Sequence, residues 1–308
     1  MITRRKMLGS SIAAGAALTT GVQPVWSQTP RKRMIVDAQV HLWKASSPDY
    51  PWPEGTKPQL PEPFTYERAL PLMDAAGIDR AVIVPATFSD INTYALEAAA
   101  RHPTRFKVMG RIPIENPKSA DLLPKWKDQP HMLGVRVTFV SPKHAALLTD
   151  GGISWLWSEA EKAKLPIMFF AAGRLNHFGP IAEKHPGLML IVDHMGVNAA
   201  IAKDGKMAES IGQLVALAKY PNVSVKLSNL PNASLEPYPF KDLHDHIKRV
   251  YDAFGPRRCH WGTDVTNGLG RSDWKQRLVH FTEELKFMSE DDKDWVLGRS
   301  ILQKLQWA

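Results

Sequence analysis

Three polar residues lie just after short apolar runs that are far apart in the chain, and their side chains suit hydrolytic chemistry. They are His41 near the start, His194 after the run 188–193, and Asp264 after the run 258–262. An imidazole can ligate a metal or move a proton, and a carboxylate can ligate a metal or act as a general base. If these runs are strands of one closed parallel barrel, their carboxyl ends share a mouth where the three side chains can meet.

Three cationic residues also fall within or at the ends of apolar runs, namely Arg111, Arg136 and Lys226. A buried cation is costly unless it is paired, so each of them either joins an internal ion pair, points outward into solvent, or faces a ligand at the mouth. At the mouth they would bind a substrate carboxylate or stabilise an oxyanion. Trp43, two residues after His41, is an aromatic candidate for contact with the same substrate.

The elements that would position these residues alternate along the chain. Eight apolar runs are predicted to be strands covered on both faces: 34–37, 81–85, 106–111, 133–139, 166–170, 188–193, 223–227 and 258–262. Helical patterns separate or follow them: 65–76, 91–102, 119–127, 152–164, 178–185, 207–220, 241–254, 271–285 and 290–305. Pro71, Pro124 and Pro180 lie inside three of these patterns and predict a kink or a later helix start. This alternation predicts a single α/β domain, a (β/α)8 TIM barrel over 34–308.

The segment 44–63, which follows the first predicted strand, contains six prolines together with Tyr50 and Trp52. A proline-stiffened loop that leaves the catalytic end of a barrel is predicted to act as a lid, and its aromatic residues would set the fit of the substrate. A surface loop with no functional role is the alternative.

Residues 1–27 have the pattern of an export signal. Arg4, Arg5 and Lys6 are followed by a weakly apolar run of Ala, Gly, Ser and Thr, and Ser27 offers a cleavage point. This pattern predicts a twin-arginine (Tat) signal peptide, read by the Tat export machinery, and a bacterial periplasmic location. The alternative is a disordered basic tail. The run is too short to span a membrane, so no membrane association is expected after cleavage.

Composition and charge narrow the class of partner. With 44% hydrophobic and 23% charged residues among 308, the chain can bury one large core. Loss of the three cations in 1–27 lowers the formal net charge from +8 to +5, and the remaining basic residues are dispersed. Nucleic acid is therefore not an expected partner, whereas a small anionic substrate is. The single cysteine, Cys259, excludes an internal disulfide. Nothing in the sequence indicates the oligomeric state.

Four segments together resemble the signature segments of the amidohydrolase-related family of TIM-barrel hydrolases, also called amidohydrolase 2. They read DAQVHLW at 37–43, VDHMG at 192–196, VKLS at 225–228 and WGTD at 261–264. Their order and spacing extend the resemblance over about 34–307. It is close to the lactonase branch, which includes 2-pyrone-4,6-dicarboxylate lactonase, and it implies the barrel fold and a hydrolase that acts on lactone bonds.

The resemblance also implies a set of site residues. His41, His194 and Asp264 carry over as catalytic residues and as ligands of a divalent metal such as zinc. The family pattern begins with His-x-His on the first strand, whereas Gln39 stands at the first of these positions here. Three ligands and a water could still hold zinc, because catalytic zinc sites keep one open position. Lactonases of the family also work without a metal, so no cofactor is certain.

Opening of a lactone ring in a small anionic or sugar-derived substrate is the interpretation that we favour, with Asp264 as the general base for the attacking water. His41 and His194 would polarise the carbonyl or stabilise the oxyanion, and Arg136 with Arg111 would hold a substrate carboxylate. Two alternatives stay open at this point. One is a metal-dependent decarboxylase on the same barrel, and the other is a catalytically degenerate periplasmic binding protein.

Overall fold

Eight parallel strands form the centre of the molecule, in a computed structural model that describes residues 32–86 and 92–308. The strands are β1 (Val36–Val40), β2 (Arg80–Ile83), β3 (Phe106–Gly110), β4 (Met132–Thr138), β5 (Ile167–Phe170), β6 (Leu190–Val192), β7 (Val223–Leu227) and β8 (Cys259–Trp261). Each pairs in parallel with the next in chain order. Every strand overlaps its predicted run, and the (β/α)8 prediction is confirmed. The predicted signal segment, 1–27, lies outside the described residues.

Helices cover the outside of the strands. They are α1 (Tyr66–Ala76), α2 (Thr93–Arg101), α3 (Pro142–Thr149), α4 (Ser154–Lys162), α5 (Phe178–Lys184), α6 (Ala199–Lys203), α7 (Met207–Ala216), α8 (Leu230–Ala233), α9 (His244–Phe254), α10 (Trp274–Val279), α11 (Glu290–Asp294) and α12 (Ser300–Leu305). The short helices α3, α6 and α8 are not predicted from the sequence. Across 32–86 and 92–308, no helix combines the length and apolar character that a membrane crossing requires.

The three prolines inside predicted helices behave differently from one another. Pro71 lies within α1, which continues through it without a later start. Pro124 lies in Pro117–Asp128, which forms a 3-10 helix over its whole length instead of an α-helix. Pro180 is the third residue of α5, in the first turn, where a missing N–H donor breaks no helical hydrogen bond.

The C-terminal helix closes the amino-terminal end of the barrel. Ile301, Leu305 and Trp307 belong to one buried cluster with the inward side chains of the strands, such as Val36 and Met168. The opposite end, where the strands finish, is therefore the end at which a ligand can enter.

The barrel closes where β8 meets β1, and Gly262 makes this approach possible. A Cβ atom at Gly262 would lie 3.2 Å from the backbone nitrogens of Ala38 and Gln39, so a side chain there would push the strands apart. Two residues later, the backbone N–H of Asp264 donates to the carbonyl oxygen of Gln39 at 2.9 Å. The absence of a side chain at Gly262 thus brings Asp264 next to β1.

The buried carboxylate of Asp37 ties the same two strands together. It accepts the backbone N–H groups of Gln39 (3.0 Å) and Thr263 (2.8 Å), the indole N–H of Trp274 (2.7 Å), and the Thr263 hydroxyl. Burial raises the pKa of Asp37 in spite of these bonds. Asp37 is therefore a structural residue that holds the backbone around the mouth in place.

Candidate active site

His41, His194 and Asp264 meet at the carboxyl ends of β1, β6 and β8. His41 Nε2 lies 3.2 Å from Asp264 Oδ1, and His194 Nε2 lies 3.6 Å from Asp264 Oδ2. All three side chains are buried, so solvent screens their interactions only weakly. The structure thus brings together the three residues that the sequence singled out.

The backbone at this end of the barrel is strained where it turns side chains inward. His194 (φ +56°), Asn229 (φ +57°) and Asp264 (φ +52°) are in the left-handed region, which costs residues other than glycine about 1–3 kcal/mol each. At Asp264 the turn is held by its N–H bond to Gln39 and by Arg277, which donates to the Asp264 carbonyl at 3.3 Å. The surrounding hydrogen bonds therefore hold the strained backbone of Asp264, and with it the carboxylate, in a fixed position.

Gln39 lies fully buried beside the two histidines, and Lys226 sets its orientation. The Lys226 ammonium can only donate, and it bonds to Gln39 Oε1. The amide nitrogen therefore points at the imidazoles, with Nε2 at 3.4 Å from His41 Nε2 and 3.3 Å from His194 Nε2. Lys226 also pairs with Asp193 at 2.7 Å and has no exposed surface. The prediction that Lys226 binds substrate is corrected: it forms the internal ion pair that was the alternative.

Hydrogen bonding fixes the ring orientation of His41. Its Nδ1 lies 2.7 Å from the carbonyl oxygen of Val84, which can only accept, so Nδ1 is protonated. Nε2 lies 3.4 Å from the amide nitrogen of Gln39 and 3.2 Å from Oδ1 of Asp264.

His194 is neutral at pH 7. Burial lowers its pKa to about 4, against the attraction of Asp264 and Asp193. Its Nδ1 lies 2.8 Å from the Ser228 hydroxyl, and its Nε2 faces the donor nitrogen of Gln39. Nε2 must therefore accept, which assigns the proton to Nδ1. In this tautomer His194 cannot donate a hydrogen bond through Nε2 to an oxyanion.

Asp264 is ionised throughout the physiological pH range. Burial by itself would raise the pKa of this carboxyl, but His41, His194 and the amide of Asn267 hold it well below its ordinary range. Asn267 Nδ2 donates to Oδ2 at 2.9 Å. The carboxylate is therefore available but weakly basic, and its basicity would rise if His41 moved away from it.

A cavity of about 260 Å³ opens above these residues, large enough for a small molecule. It is lined by His41, Gln59, Arg111, Arg136, Phe170, His194, Asn229, Asp264 and Asn267. A second cavity of about 300 Å³ shares Arg111 and Arg136 and extends to Glu115 and His144. A ligand at the catalytic groups can therefore extend past the two arginines.

Arg111 and Arg136 each bind the protein through Nε. Arg111 Nε donates to the carbonyl oxygen of Pro85 at 2.7 Å, and Arg136 Nε donates to Asp193 Oδ2 at 3.0 Å. Within the part of the chain that the structure describes, these bonds leave the terminal nitrogens of both groups available to a ligand. Burial, and then repulsion by Arg136, lowers the pKa of Arg111. The two predicted carboxylate-binding arginines therefore do line the cavity.

The buried charges around the cavity do not balance. Within the described residues, they include four side-chain cations and three carboxylates: Arg111, Arg136, Lys226, Arg277, Asp37, Asp193 and Asp264. Burial would raise the pKa of Asp193, yet Lys226 and Arg136 lower it to about 2, so it is ionised at pH 7. The excess positive charge, even with both histidines neutral, favours an anionic ligand with oxygens that suit the guanidinium fork.

Three aromatic residues expected at the substrate do not reach the cavity. Trp43 is fully buried, with its ring 6.0 Å from that of Phe64, and its backbone N–H donates to the Phe64 carbonyl. Tyr50 is buried against Tyr94 with ring centroids 6.0 Å apart, and Trp52 packs at the edge of the core. The prediction that Trp43 contacts substrate is therefore contradicted, because its apolar surface packs into the core instead.

Three amide residues in the cavity wall, Gln59, Asn229 and Asn267, were not recognised from the sequence. Gln59 comes from the proline-rich segment and accepts the Thr266 hydroxyl. The segment 44–63 thus reaches the site, although its action as a lid stays a prediction. Asn229 follows β7 by two residues and Asn267 follows Asp264 by three, so nearness to a strand end was the available signal.

We expect the buried histidines to make the protein less stable in mild acid. Burial lowers the pKa of His194 to about 4 and that of His260 to about 3, below the ordinary value of 6.5. Between these values the unfolded chain binds more protons than the folded one, so the free energy of unfolding falls as pH drops below 6.5. The fall is up to about 1.4 kcal/mol per pH unit for each histidine.

Urea unfolding at several values between pH 7 and pH 5 measures this loss. The variant His260→Gln should show a shallower dependence on pH than wild type over that interval. A free energy of unfolding that stays constant from pH 6.5 to pH 5 would contradict the assignment of neutral buried imidazoles.

A parallel eight-stranded barrel with a charged cavity at the carboxyl ends of its strands is the architecture of a TIM-barrel enzyme. A family model described as amidohydrolase matches residues 36–299, and the chain belongs to this amidohydrolase family. The family expected from the four sequence segments is confirmed.

Individual relatives agree with this assignment. An L-fucono-1,5-lactonase from Burkholderia ambifaria is 27% identical over 243 residues, which cover 74% of this chain and 79% of that protein. An amidohydrolase from Burkholderia multivorans, solved with bound zinc, has a TM-score of 0.74 at 19% identity and covers 89% of this chain and 99% of its own. A probable 2-pyrone-4,6-dicarboxylic acid hydrolase from Acinetobacter baumannii, with citric acid bound, has a TM-score of 0.69 at 15% identity, with coverage of 89% and 99%.

One structural relative contains zinc, and the donor set of this chain decides whether a divalent ion fits here. An ion would need lone pairs on His41, His194 and Asp264. Instead, Nε2 of His41 and Nε2 of His194 both face the amide nitrogen of Gln39, a donor that Lys226 turns toward them. Across the described ranges, no group of three His, Cys, Asp or Glu side chains has the arrangement of a metal site. The residues present therefore do not fit a divalent metal.

Proposed function

We propose that this protein hydrolyses the lactone ring of a small substrate that carries a carboxylate or a similar anionic group. One observation carries the proposal: a single cavity contains an ionised carboxylate, Asp264, together with two guanidinium groups, Arg111 and Arg136. The lactonase relative supports the ring-opening chemistry. The excess positive charge supports an anionic substituent, and the second cavity leaves room for a sugar-derived or extended part.

In the proposed reaction, water attacks the lactone carbonyl carbon. Asp264 takes a proton from this water as the new carbon–oxygen bond forms, and it returns the proton to the ring oxygen as the ring bond breaks. The product is a hydroxy acid, so atoms and charge balance without another reactant. A lactone is activated relative to an amide, and a carboxylate base with cationic surroundings is therefore adequate for its hydrolysis.

His41 would link stabilisation of the oxyanion to the basicity of Asp264. In the free site its Nε2 lies 3.2 Å from Asp264 Oδ1, and His41 lowers the pKa of this carboxyl. If His41 turned toward the developing oxyanion as an Nε2–H donor, Asp264 would lose this interaction and become more basic as it takes the proton from water. His194, with Nε2 accepting from Gln39 and Nδ1 bonded to Ser228, would take no part in the proton transfer. This division of roles refines the expectation that both imidazoles stabilise the oxyanion.

A screen of lactones in matched pairs tests the function. Each pair has the same ring with a free carboxylate or with its methyl ester, sugar lactones are included, and acid release is followed with and without a chelator. We expect kcat/KM to be about 100-fold higher for the carboxylate member of an accepted pair, since charge-assisted hydrogen bonds to both arginines are lost in the ester. Failure to hydrolyse any lactone above the buffer rate would overturn the proposal.

The alternative activities receive less support from the site. A metal-dependent decarboxylase needs an ion to orient the acid, and the donor set does not fit one. A catalytically degenerate binding protein would have no need for an ionised carboxylate held beside His41 by a strained backbone. Carbon dioxide release in the same substrate screen distinguishes the first alternative, and tight binding without turnover distinguishes the second.

We further propose that the protein acts in the periplasm after Tat export, on the basis of the pattern in 1–27. Cell fractionation tests this location. The double variant Arg4→Lys, Arg5→Lys should accumulate in the cytoplasm, and its normal appearance in the periplasm would count against a Tat signal.

A further inference from the structure

We propose that the side-chain amide of Gln39, clamped by Lys226, takes the place of a divalent metal at His41, His194 and Asp264, so that this site excludes such an ion. The inference concerns the same cavity as the proposed function. Metal binding is measured without turnover, however, so either proposal can fail while the other stands.

Lys226 fixes the direction of the Gln39 side-chain amide. Lys226 donates to Gln39 Oε1, and an ammonium has no lone pair with which to accept the other end of the amide. Lys226 is fully buried and is held by Asp193 at 2.7 Å, so it cannot swing away into solvent. The Gln39 oxygen, which is the only atom of this side chain that could ligate a metal, is therefore turned away from the histidines.

The amide nitrogen of Gln39 occupies the lone pairs of both imidazoles. Gln39 Nε2 lies 3.3 Å from Nε2 of His194 and 3.4 Å from Nε2 of His41, so its hydrogens point into the space that an ion would need. An ion that bound both histidines would have to displace this amide. The displaced amide would then leave a buried ammonium without one of its acceptors, which is costly.

The positive charges of Lys226 and Arg136 also oppose a divalent cation at the histidines. The ammonium of Lys226 is separated from the imidazoles by one amide group, and Arg136 bonds to the same aspartate as Lys226. A divalent cation at the histidines would be repelled by both at short range in a buried site. The amide, polarised by the ammonium, instead presents fixed N–H dipoles to His194, and this orients the ring as a metal would.

The variant Gln39→His tests the proposal through zinc content. It offers four ligands, because the introduced imidazole joins His41, His194 and Asp264. We expect about one zinc per chain after equilibration with micromolar zinc and desalting, against less than about 0.1 in wild type. Gln59→His is the matched control: it adds an imidazole to the same cavity, leaves the Gln39 amide in place, and should hold no more zinc than wild type.

Either of two zinc measurements would overturn the proposal. One is about one tightly bound zinc in wild type. The other is absence of zinc from both folded Gln39→His and the double variant Gln39→His, Lys226→Met, since the clamp would then not be what excludes the ion. If the variants do not fold, ¹⁵N spectra of wild-type histidines decide the matter. We expect His194 protonated on Nδ1 and unchanged by excess zinc; a zinc-dependent shift of its Nε2 would refute the proposal.

Discussion

Replacement of Asp264 by Asn is expected to reduce kcat for lactone hydrolysis by about 1,000-fold, because an amide cannot take a proton from water. The fold should survive the change. Asn keeps an oxygen that can accept from Asn267, and its amide nitrogen lies where it can donate to Nε2 of His41. Steady-state kinetics on the best substrate of the lactone screen, with the melting temperature measured in parallel, checks both parts of the expectation.

A chemical rescue separates loss of the base from loss of structure. Asp264 has φ +52°, a conformation that glycine adopts without strain, so Asp264→Gly is a suitable host for an external carboxylate. Formate should restore part of its activity and should do nothing for wild type. The exposed Asp49→Asn is the control for the chemical change itself. Wild-type rates in Asp264→Asn would end the assignment of this residue as the base.

The second large effect is expected at Arg136. Arg136→Met should lower kcat/KM for a carboxylate-bearing lactone by about 100-fold or more, mainly through KM, because a bidentate charge-assisted contact is lost. Lys226 still pairs with Asp193 in this variant, so the buried carboxylate keeps a partner. Kinetics on the matched acid and ester substrates measure the effect, and the ester should respond little.

Arg136→Lys tests whether shape or charge matters at this position. A lysine keeps the charge but loses the planar fork and its Nε–H bond to Asp193, so only part of the activity should return. If Arg136→Met lost the same activity on the acid and on the ester, Arg136 would not be binding the substrate carboxylate. The proposed anionic substrate would then be withdrawn.

The sequence located cavity residues where a polar residue ends a strand that is buried on both faces. Parallel strands buried on both faces read as apolar runs, and a polar residue that ends such a run must lie at the mouth of a barrel. This reasoning located His41, His194 and Asp264 because strand order alone decides which ends meet. The same reasoning located Arg111 and Arg136, both of which line the cavity.

Reasoning from the sequence failed where the direction of a side chain decides the role of that residue. Trp43 and Lys226 lie as close to strand ends as the cavity residues do, yet one packs into the core and the other bonds to Asp193 and Gln39. Which way a side chain points depends on packing with distant elements, and spacing in one chain does not encode it. Gln59 was missed for the same reason, since a loop residue reaches the cavity only through the path of the whole loop.

By itself, then, the sequence determined the barrel, the family and the residues that end its strands, because hydrophobic periodicity and strand order are properties of the chain. It also showed that Gln39 stands where the family has histidine, but this alone leaves the metal open. Only the tertiary structure decided what Gln39 does, because a donor from β7, 187 residues away, orients its amide. Hydrogen-bond direction is set by partners brought together in space, and the chemistry of this site depends on that direction.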